Sequence, residues 1–247
     1  MSTGIAVVTG AAGGMGTHIA RRLHADGHRL LLTDLDVDAV ESLALQLSAD
    51  GSTARGVRLD VASRDDFVAG LKQCQRFWGT PTIVVNNAAI TQAADLMTLG
   101  ADEFNRVLTT NVDSVFFGCQ VFGEAMAAQR FGRIVNMASL AGQNGGTATG
   151  GHYAASKGAI LTVTKIFARE LADKGVTVNA IAPGPHDLPV VRATVPPEKL
   201  DAVVASIPVG RLGSASFVAD MVRLLVADDA YFVTGACWDV NGGIYVR

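Results

Sequence analysis

The sequence predicts an α/β fold, a doubly wound parallel sheet of about seven strands with helices on both faces. Three observations carry this expectation. Short apolar runs alternate along the chain with longer amphipathic stretches. Of the 247 residues, 49% are hydrophobic and 17% charged, a balance suited to a sheet covered on both faces. The first apolar run breaks into a glycine-rich turn that opens a helix. One domain over residues 1–247 is expected, without linker, repeat or low-complexity tail.

The elements follow in order. Gly4–Thr9 is a continuous apolar run, the pattern of a strand buried on both faces, and Met15–Asp26 then repeats apolar residues at helical spacing. Arg29–Thr33 is the second predicted strand, and Val37–Ala49 the next helix, which Asp34 or Asp36 could cap. Ala54–Leu59, helix Arg64–Phe77, Thr82–Asn86, helix Asp102–Ala128 and Gly132–Met137 continue the alternation. Helix Tyr153–Asp173, strand Val176–Ala182, helix Phe217–Ala227 and a last strand near Cys237–Val240 complete it, ahead of Asn241-Gly242-Gly243. Gly142–Gly151 and Pro183–Pro197 are irregular and follow strands, at the sheet end where open parallel sheets hold ligands. Substrate loops are therefore expected near 140–152 and 183–210.

Charge and cysteine content narrow the function classes. A net charge of −3, a pI near 5.9 and the lack of a Lys/Arg block argue against nucleic acid or an anionic membrane as partner. Cys74, Cys119 and Cys237 are widely spaced and form no CxxC pair, so they read as free thiols rather than disulfides or zinc ligands. Met1 leads straight into the apolar run at Ile5–Val8 without a basic leader, and a cytoplasmic protein is expected. His186-Asp187 are adjacent, project differently and lack further ligands nearby in sequence, so no metal is expected.

The stretch from Thr9 to Gly16 is a candidate dinucleotide site. Gly10, Gly13, Gly14 and Gly16, with Met15 between the last two, allow a tight turn whose backbone N–H groups approach a pyrophosphate at a helix N-terminus. A glycine-rich turn that binds nothing is the alternative. Asp34, some eighteen residues beyond Gly16, could accept hydrogen bonds from an adenosine ribose diol and would repel a 2′-phosphate. Gly13 and Leu35 offer no cation to such a phosphate, so NAD(H) is expected over NADP(H). Asp60 and Val61, and Asn87, Ala88 and Ala89, end strands at the same crevice. Their signal is positional, and Asx-type turns are an equal reading of them.

Tyr153 and Lys157 are four positions apart at the start of a helix and therefore share one face. An ammonium beside a phenol favours the phenolate, bringing a group with an ordinary pKa near 10 toward a useful range, so the pair reads as proton-transfer machinery.

With TGxxxGxG at Thr9–Gly16, YxxxK at Tyr153–Lys157 and an NNAG-like segment at Asn86–Ala89, the chain resembles the classical short-chain dehydrogenase/reductase family over essentially its full length. Ile134–Ser139 and Asn241-Gly242-Gly243 bring it nearest to the 3-oxoacyl-carrier-protein-reductase-like group. The resemblance implies a single-domain Rossmann fold and a nicotinamide-dependent oxidoreductase that interconverts a small-molecule secondary alcohol and a ketone. It implies that Tyr153 is the acid/base, that Ser139 holds the substrate oxygen, and that Asn111 helps link Lys157 to a water relay. Pro183-Gly184 would lie at the nicotinamide, and the molecule would be a homotetramer built on helices Asp102–Ala128 and Tyr153–Asp173. Taken alone, Ser139 could be a turn serine and Asn111 a surface amide.

The chain departs from that pattern at three places. Ala89 stands for a glycine, the Ser139–Tyr153 interval is one residue longer than is common and rich in glycine, and Pro185-His186-Asp187-Leu188-Pro189-Val190 lacks the threonine expected after Pro183-Gly184. His152 could face the pocket or solvent. Two further readings stay open. One is a 3-oxoacyl-(carrier protein or CoA) reductase, which usually goes with NADPH and for which Arg130 and Arg133 are candidate carrier contacts. The other is a catalytically silent NAD-binding sensor or scaffold.

Overall fold

The computed structural model describes residues 3–146, 150–189 and 197–247. Its elements run β1 (Ile5–Thr9), α1 (Gly14–Ala25), β2 (Arg29–Asp34), α2 (Val37–Leu47), β3 (Ala54–Arg58), α3 (Arg64–Phe77), β4 (Ile83–Asn86) and α4 (Ala101–Leu108). A π-helical turn over Thr109–Asp113 joins α4 to α5 (Ser114–Ala128), followed by β5 (Gly132–Met137), α6 (Ala141–Asn144), α7 (Gly151–Leu171) and β6 (Val176–Pro183). Then come β7 (His186–Asp187), α8 (Pro197–Ser206), β8 (Gly213–Ser214), α9 (Ala215–Leu225) and β9 (Cys237–Val240).

Seven of these strands form one parallel sheet in the order β3-β2-β1-β4-β5-β6-β9. The chain starts in the middle, winds outward through β2 and β3, and returns to the other side of β1 with β4. The crevice at that reversal, beyond Thr9 and Asn86, is where a doubly wound sheet holds its ligand.

The two faces are buried separately because side chains alternate along each strand. Ala6, Val8, Leu30 and Leu32 face α1, α2 and α9 through Ile19, Leu23, Leu43, Val218 and Val222. Val7, Leu31, Val84, Ile134 and Val178 face α3, α5 and α7 through Phe67, Phe122 and Ile160. The continuous apolar strands follow from this double covering, which leaves the open carboxyl edge for polar residues.

Most predicted elements agree with the structure to within two residues. Three features differ. The single helix expected over Asp102–Ala128 carries the π turn, centred on Asn111. The expected loop Gly142–Gly151 opens with α6, and its residues 147–149 lie outside the described residues. In the second loop His186–Asp187 pairs in parallel with Gly213–Ser214, and residues 190–196 lie outside the described residues. These short pieces are stabilised by tertiary contacts rather than by periodicity. No described helix is long and apolar enough to cross a membrane.

Candidate active site

The turn after β1 is built around close backbone approaches. Gly10 has φ +65°, and a Cβ there would lie 2.7 Å from Ala88 Cα. A Cβ at Gly16 would lie 2.2 Å from the Gly10 carbonyl oxygen. By contrast, a Cβ at Gly13 or Gly14 would meet nothing within 4 Å. The turn is therefore packed on its inner side and open on its outer side. Helix α1 begins there without a side-chain cap and without an acidic residue in its first turn. Its first N–H groups and the positive end of its dipole are left for an anion, so the cradle fits a dinucleotide pyrophosphate.

These glycines give a contrasting prediction. Gly16→Ala should destabilise the fold by about 1–3 kcal/mol, because backbone must move. Gly13→Ala should leave the melting temperature unchanged and weaken coenzyme binding by filling the open side. Thermal melts and fluorescence titration separate the two, and equal melting temperatures would contradict the inner packing.

The residues predicted to flank the cofactor fall into two sets. Asn87 clamps the turn from within, with its amide nitrogen donating to the carbonyls of Thr9 (3.0 Å) and Gly10 (2.9 Å). The Thr9 hydroxyl, which the sequence reading passed over, accepts from the backbone N–H of Asn87 at 3.0 Å and Ala88 at 3.1 Å. The available signal was a polar residue closing an apolar strand. Ala89 is not among the described residues with positive φ, so its methyl replaces glycine without backbone strain. Asp60 accepts from Ala62 N–H at 3.0 Å in an Asx turn, and Val61 is buried, which matches the turn reading. Met15 packs partly buried against the core, and Leu35 is exposed.

Asp34 is engaged by the protein itself. One carboxylate oxygen accepts from Ala12 N–H at 3.1 Å and the other from Asp36 N–H at 3.3 Å. Asp36, not Asp34, caps α2 by accepting from Ala39 N–H at 3.0 Å. Across the sheet, Arg58 on β3 stands in register with Asp34 and lies 3.5 Å from Asp66.

The structure brings the predicted catalytic residues together at the carboxyl end of β5. Ser139 follows β5, its hydroxyl accepts from Ala141 N–H at 3.1 Å, and it stands near enough to the Tyr153 phenol to influence its ionisation. Burial pushes the Tyr153 phenol up, and the Ser139 hydroxyl pulls it back in part. Lys157 is buried, and burial lowers its ammonium to about 8. Its Nζ donates to the Met137 carbonyl at 2.6 Å and stands 5.6 Å from the Tyr153 ring centroid. The expectation that Lys157 pulls the phenol down is not met: burial raises the phenol, and Ser139, not Lys157, opposes that rise. The ammonium points to a carbonyl over the ring face, and burial works against charge on both groups.

Asn111 is fully buried. Its amide nitrogen donates to the Ile90 carbonyl (2.9 Å) and the Ser156 hydroxyl (3.0 Å), and its side-chain oxygen accepts from Ile90 N–H (2.8 Å). A mid-helix asparagine invites a distortion and polar partners. Here the π turn supplies the first, and the Ile90 and Ser156 groups the second.

His152 does not face solvent. It is fully buried, with Nε2 3.6 Å from Glu103 Oε1. Beyond β6, Gly184 N–H donates to the Val240 carbonyl at 2.8 Å, and the Pro183 carbonyl accepts from Leu140 N–H at 2.9 Å. This places Pro183-Gly184 beside the Ser139 turn. His186, which follows it, is buried with Nδ1 2.8 Å from the Gly184 carbonyl. Of the two candidate carrier contacts, Arg133 is buried and donates to the carbonyls of Gly132, Ala227 and Asp228, whereas Arg130 remains exposed.

The family profile described as enoyl-(acyl carrier protein) reductase matches residues 10–245. This chain is a short-chain dehydrogenase/reductase. It is similar to the 3-oxoacyl-[acyl-carrier-protein] reductase FabG of Pseudomonas aeruginosa, 38% identical over 98% of this chain and 97% of that enzyme. The enzyme of the same name from Escherichia coli is 36% identical over the same shares. An uncharacterized oxidoreductase of Mycobacterium bovis is 35% identical over 98% of this chain and 96% of its own length. The chain is accordingly an oxidoreductase acting on CH–OH and keto groups.

The comparisons correct the coenzyme expectation. The 3-oxoacyl-[acyl-carrier-protein] reductases among these relatives belong to the group that goes with NADPH, and they point to NADP(H) rather than NAD(H). The geometry explains why Asp34 misled. Its carboxylate ties the glycine turn to the end of β2 through Ala12 N–H and also accepts from Asp36 N–H, a structural role it can fill without a ribose partner.

Proposed function

We propose that this short-chain dehydrogenase/reductase reduces 3-oxoacyl thioesters, carried on an acyl carrier protein or coenzyme A, to the secondary alcohol with NADP(H). The observation that carries the reading is the convergence of Ser139, Tyr153 and Lys157, with the Ser139 hydroxyl near the Tyr153 phenol and the buried ammonium over its ring. Full-length similarity to 3-oxoacyl reductases supports the substrate class.

The nicotinamide coenzyme supplies the hydride. Gly10, Gly13, Gly14, Met15 and Gly16 would cradle its pyrophosphate, with Asp34, Leu35, Asp60, Val61, Asn87, Ala88 and Ala89 available to the adenosine side. Pro183 and Gly184 stand at the other end. Ser139 donates to the carbonyl oxygen and stabilises charge developing there. Burial keeps the Tyr153 phenol protonated at neutral pH, which suits it to donate a proton to that oxygen. Lys157 stabilises the phenolate left behind, and Asn111 holds the Ile90 strand end and Ser156 on α7 in register beside it. In the oxidation direction the same groups act in reverse. The intact set of four speaks against a silent sensor.

The test is coenzyme oxidation with paired thioesters. NADPH should be consumed with acetoacetyl thioester and not with crotonyl thioester, and more readily than NADH. Consumption with the crotonyl compound alone would replace carbonyl by alkene reduction and overturn the reading.

A cytoplasmic homotetramer accompanies the proposal. It is supported by three free cysteines and by two separate exposed apolar faces. One bears Phe116 and Ile166 on α5 and α7, and the other Phe217 and Leu224 on α9, with Tyr231 and Phe232 beyond it. Light scattering should return four times the 25.7 kDa chain mass.

A further inference from the structure

We propose that Gln143, Asp239 and Arg247 form a strap that positions Ser139 for the substrate, by tying the turn after Ser139 to the carboxyl end of β9. The inference rests on the role assigned to Ser139 above.

Helix α6 starts two residues after Ser139, and it is held from two sides. On one side Gly142 packs against α7 at the catalytic lysine, where a Cβ would lie 2.4 Å from the Lys157 carbonyl carbon. On the other side Gln143 Nε2 donates to Asp239 Oδ1 at 2.6 Å. Asp239 is itself gripped by Arg247, with Nε 2.7 Å from Oδ2 and Nη2 3.3 Å from Oδ1. Arg247 also donates to the Cys237 carbonyl, so it spans the strand edge. Burial pushes the Asp239 carboxyl up, yet the hydrogen bonds from Arg247 and Gln143 hold it below the ordinary range. A carboxylate that must face Gln143 fixes which end of that amide points inward, and the Gln143 oxygen is left buried without a partner.

Only three residues separate Ser139 from Gln143, with Leu140 N–H bonded to the Pro183 carbonyl and Ala141 N–H to the Ser139 hydroxyl. A shift of Gln143 is therefore passed to Ser139 through a turn with little slack. Downstream lies the glycine-rich approach to Tyr153, which has no comparable anchor of its own up to Gly146 among the described residues. The strap thus secures the part of the substrate loop that follows Ser139. The pair Arg247 and Asp239 is about half and one-fifth exposed, so its contribution to global stability is small. Its effect is on placement.

Cys237 reports the strap independently of turnover. Its thiol lies 3.6 Å from Asp239 Oδ1 and 3.9 Å from Gln143 Nε2, and burial first, then Asp239, pushes it up to about 12. Cys74 and Cys119 are fully buried and stay silent.

The experiment compares Gln143→Glu, Arg247→Ala, Arg247→Lys and the double variant Gln143→Glu/Asp239→Asn with the wild-type protein. Readouts are kcat and KM for the ketone, coenzyme affinity, melting temperature and the rate of Cys237 alkylation by iodoacetamide. Gln143→Glu sets two carboxylates face to face, and should lower kcat/KM for the ketone roughly tenfold, with coenzyme affinity unchanged. It should also change the Cys237 alkylation rate severalfold. The double variant restores a hydrogen bond in the opposite sense and should recover most of both, and Arg247→Lys should outperform Arg247→Ala. Altered alkylation with unchanged kcat and KM would overturn the proposal, as would loss of coenzyme affinity in step with activity. If the wild-type protein turns over no 3-oxo substrate, the functional reading fails, while the alkylation series still reports whether the strap exists.

Discussion

Tyr153→Phe is expected to lower kcat for ketone reduction by about 10²–10⁴-fold, the usual worth of a positioned general acid. Coenzyme affinity should remain within a few fold, because the ring that packs beneath Lys157 is retained. The fold should be undisturbed as well. The Ser139 hydroxyl keeps its bond from Ala141 N–H, so removal of the phenolic oxygen leaves no stranded group on that side. Single-turnover kinetics with bound coenzyme are the decisive measurement. Equal turnover in the variant and the wild-type protein would remove Tyr153 from the chemistry.

Lys157→Met should have the second largest effect, and in two observables. The ammonium is buried, with the Met137 carbonyl as its hydrogen-bond acceptor, and its pKa falls to about 8. Below pH 8 the lysine is charged in both folded and unfolded chains, and the folded state bears a burial penalty of roughly 3 kcal/mol. Between about 8 and its ordinary value near 10.5 only the unfolded chain holds the proton, so stability contributed by this group rises with pH. Above that window the penalty is gone. The methionine variant should therefore lack that rise. At neutral pH its stability should stay near that of the wild-type protein, since relief of the penalty is offset by a stranded Met137 carbonyl worth about 1–3 kcal/mol. Turnover should fall at least about a hundredfold, since the phenolate left by proton donation loses the cation over its ring. Denaturation curves at pH 7, 8.5 and 10 test the first claim. A variant that gains stability across that range as steeply as the wild-type protein would contradict a buried, charged Lys157.

Together the two variants separate proton donation from charge stabilisation. They also bear on direction. A phenol held protonated by burial favours carbonyl reduction near neutral pH, and oxidation requires that Lys157 remain charged to support the phenolate.

The residues that were legible early share a property: each announces its role through local spacing. Tyr153 and Lys157 fall on one helical face whatever surrounds them, and Gly10 and Gly16 mark a turn too tight for a Cβ. Asn111 was conspicuous because a helix interior disfavours it, and the π turn is the form that conflict takes. Asp34 shows the limit of the same reasoning. An acidic residue at the end of β2 looks alike whether it meets a ribose or two backbone N–H groups, and the choice lay partly in Ala12, twenty-two residues earlier in the chain. His152 carried no periodic or motif signal at all, and its burial against Glu103 comes from the packing of α4 on α7.

The sequence by itself determined the alternation of strands and helices, the parallel sheet with both faces covered, the glycine turn and the Tyr153–Lys157 pair. All of these follow from periodicity and from steric rules that act over a few residues. Only the tertiary structure decided that Ser139 comes up to the Tyr153 phenol, that Lys157 turns to the Met137 carbonyl, and that Asp239 and Arg247 brace the turn at Gln143. Those contacts join residues up to about a hundred positions apart, and their geometry is set by how layers stack, which no local pattern encodes.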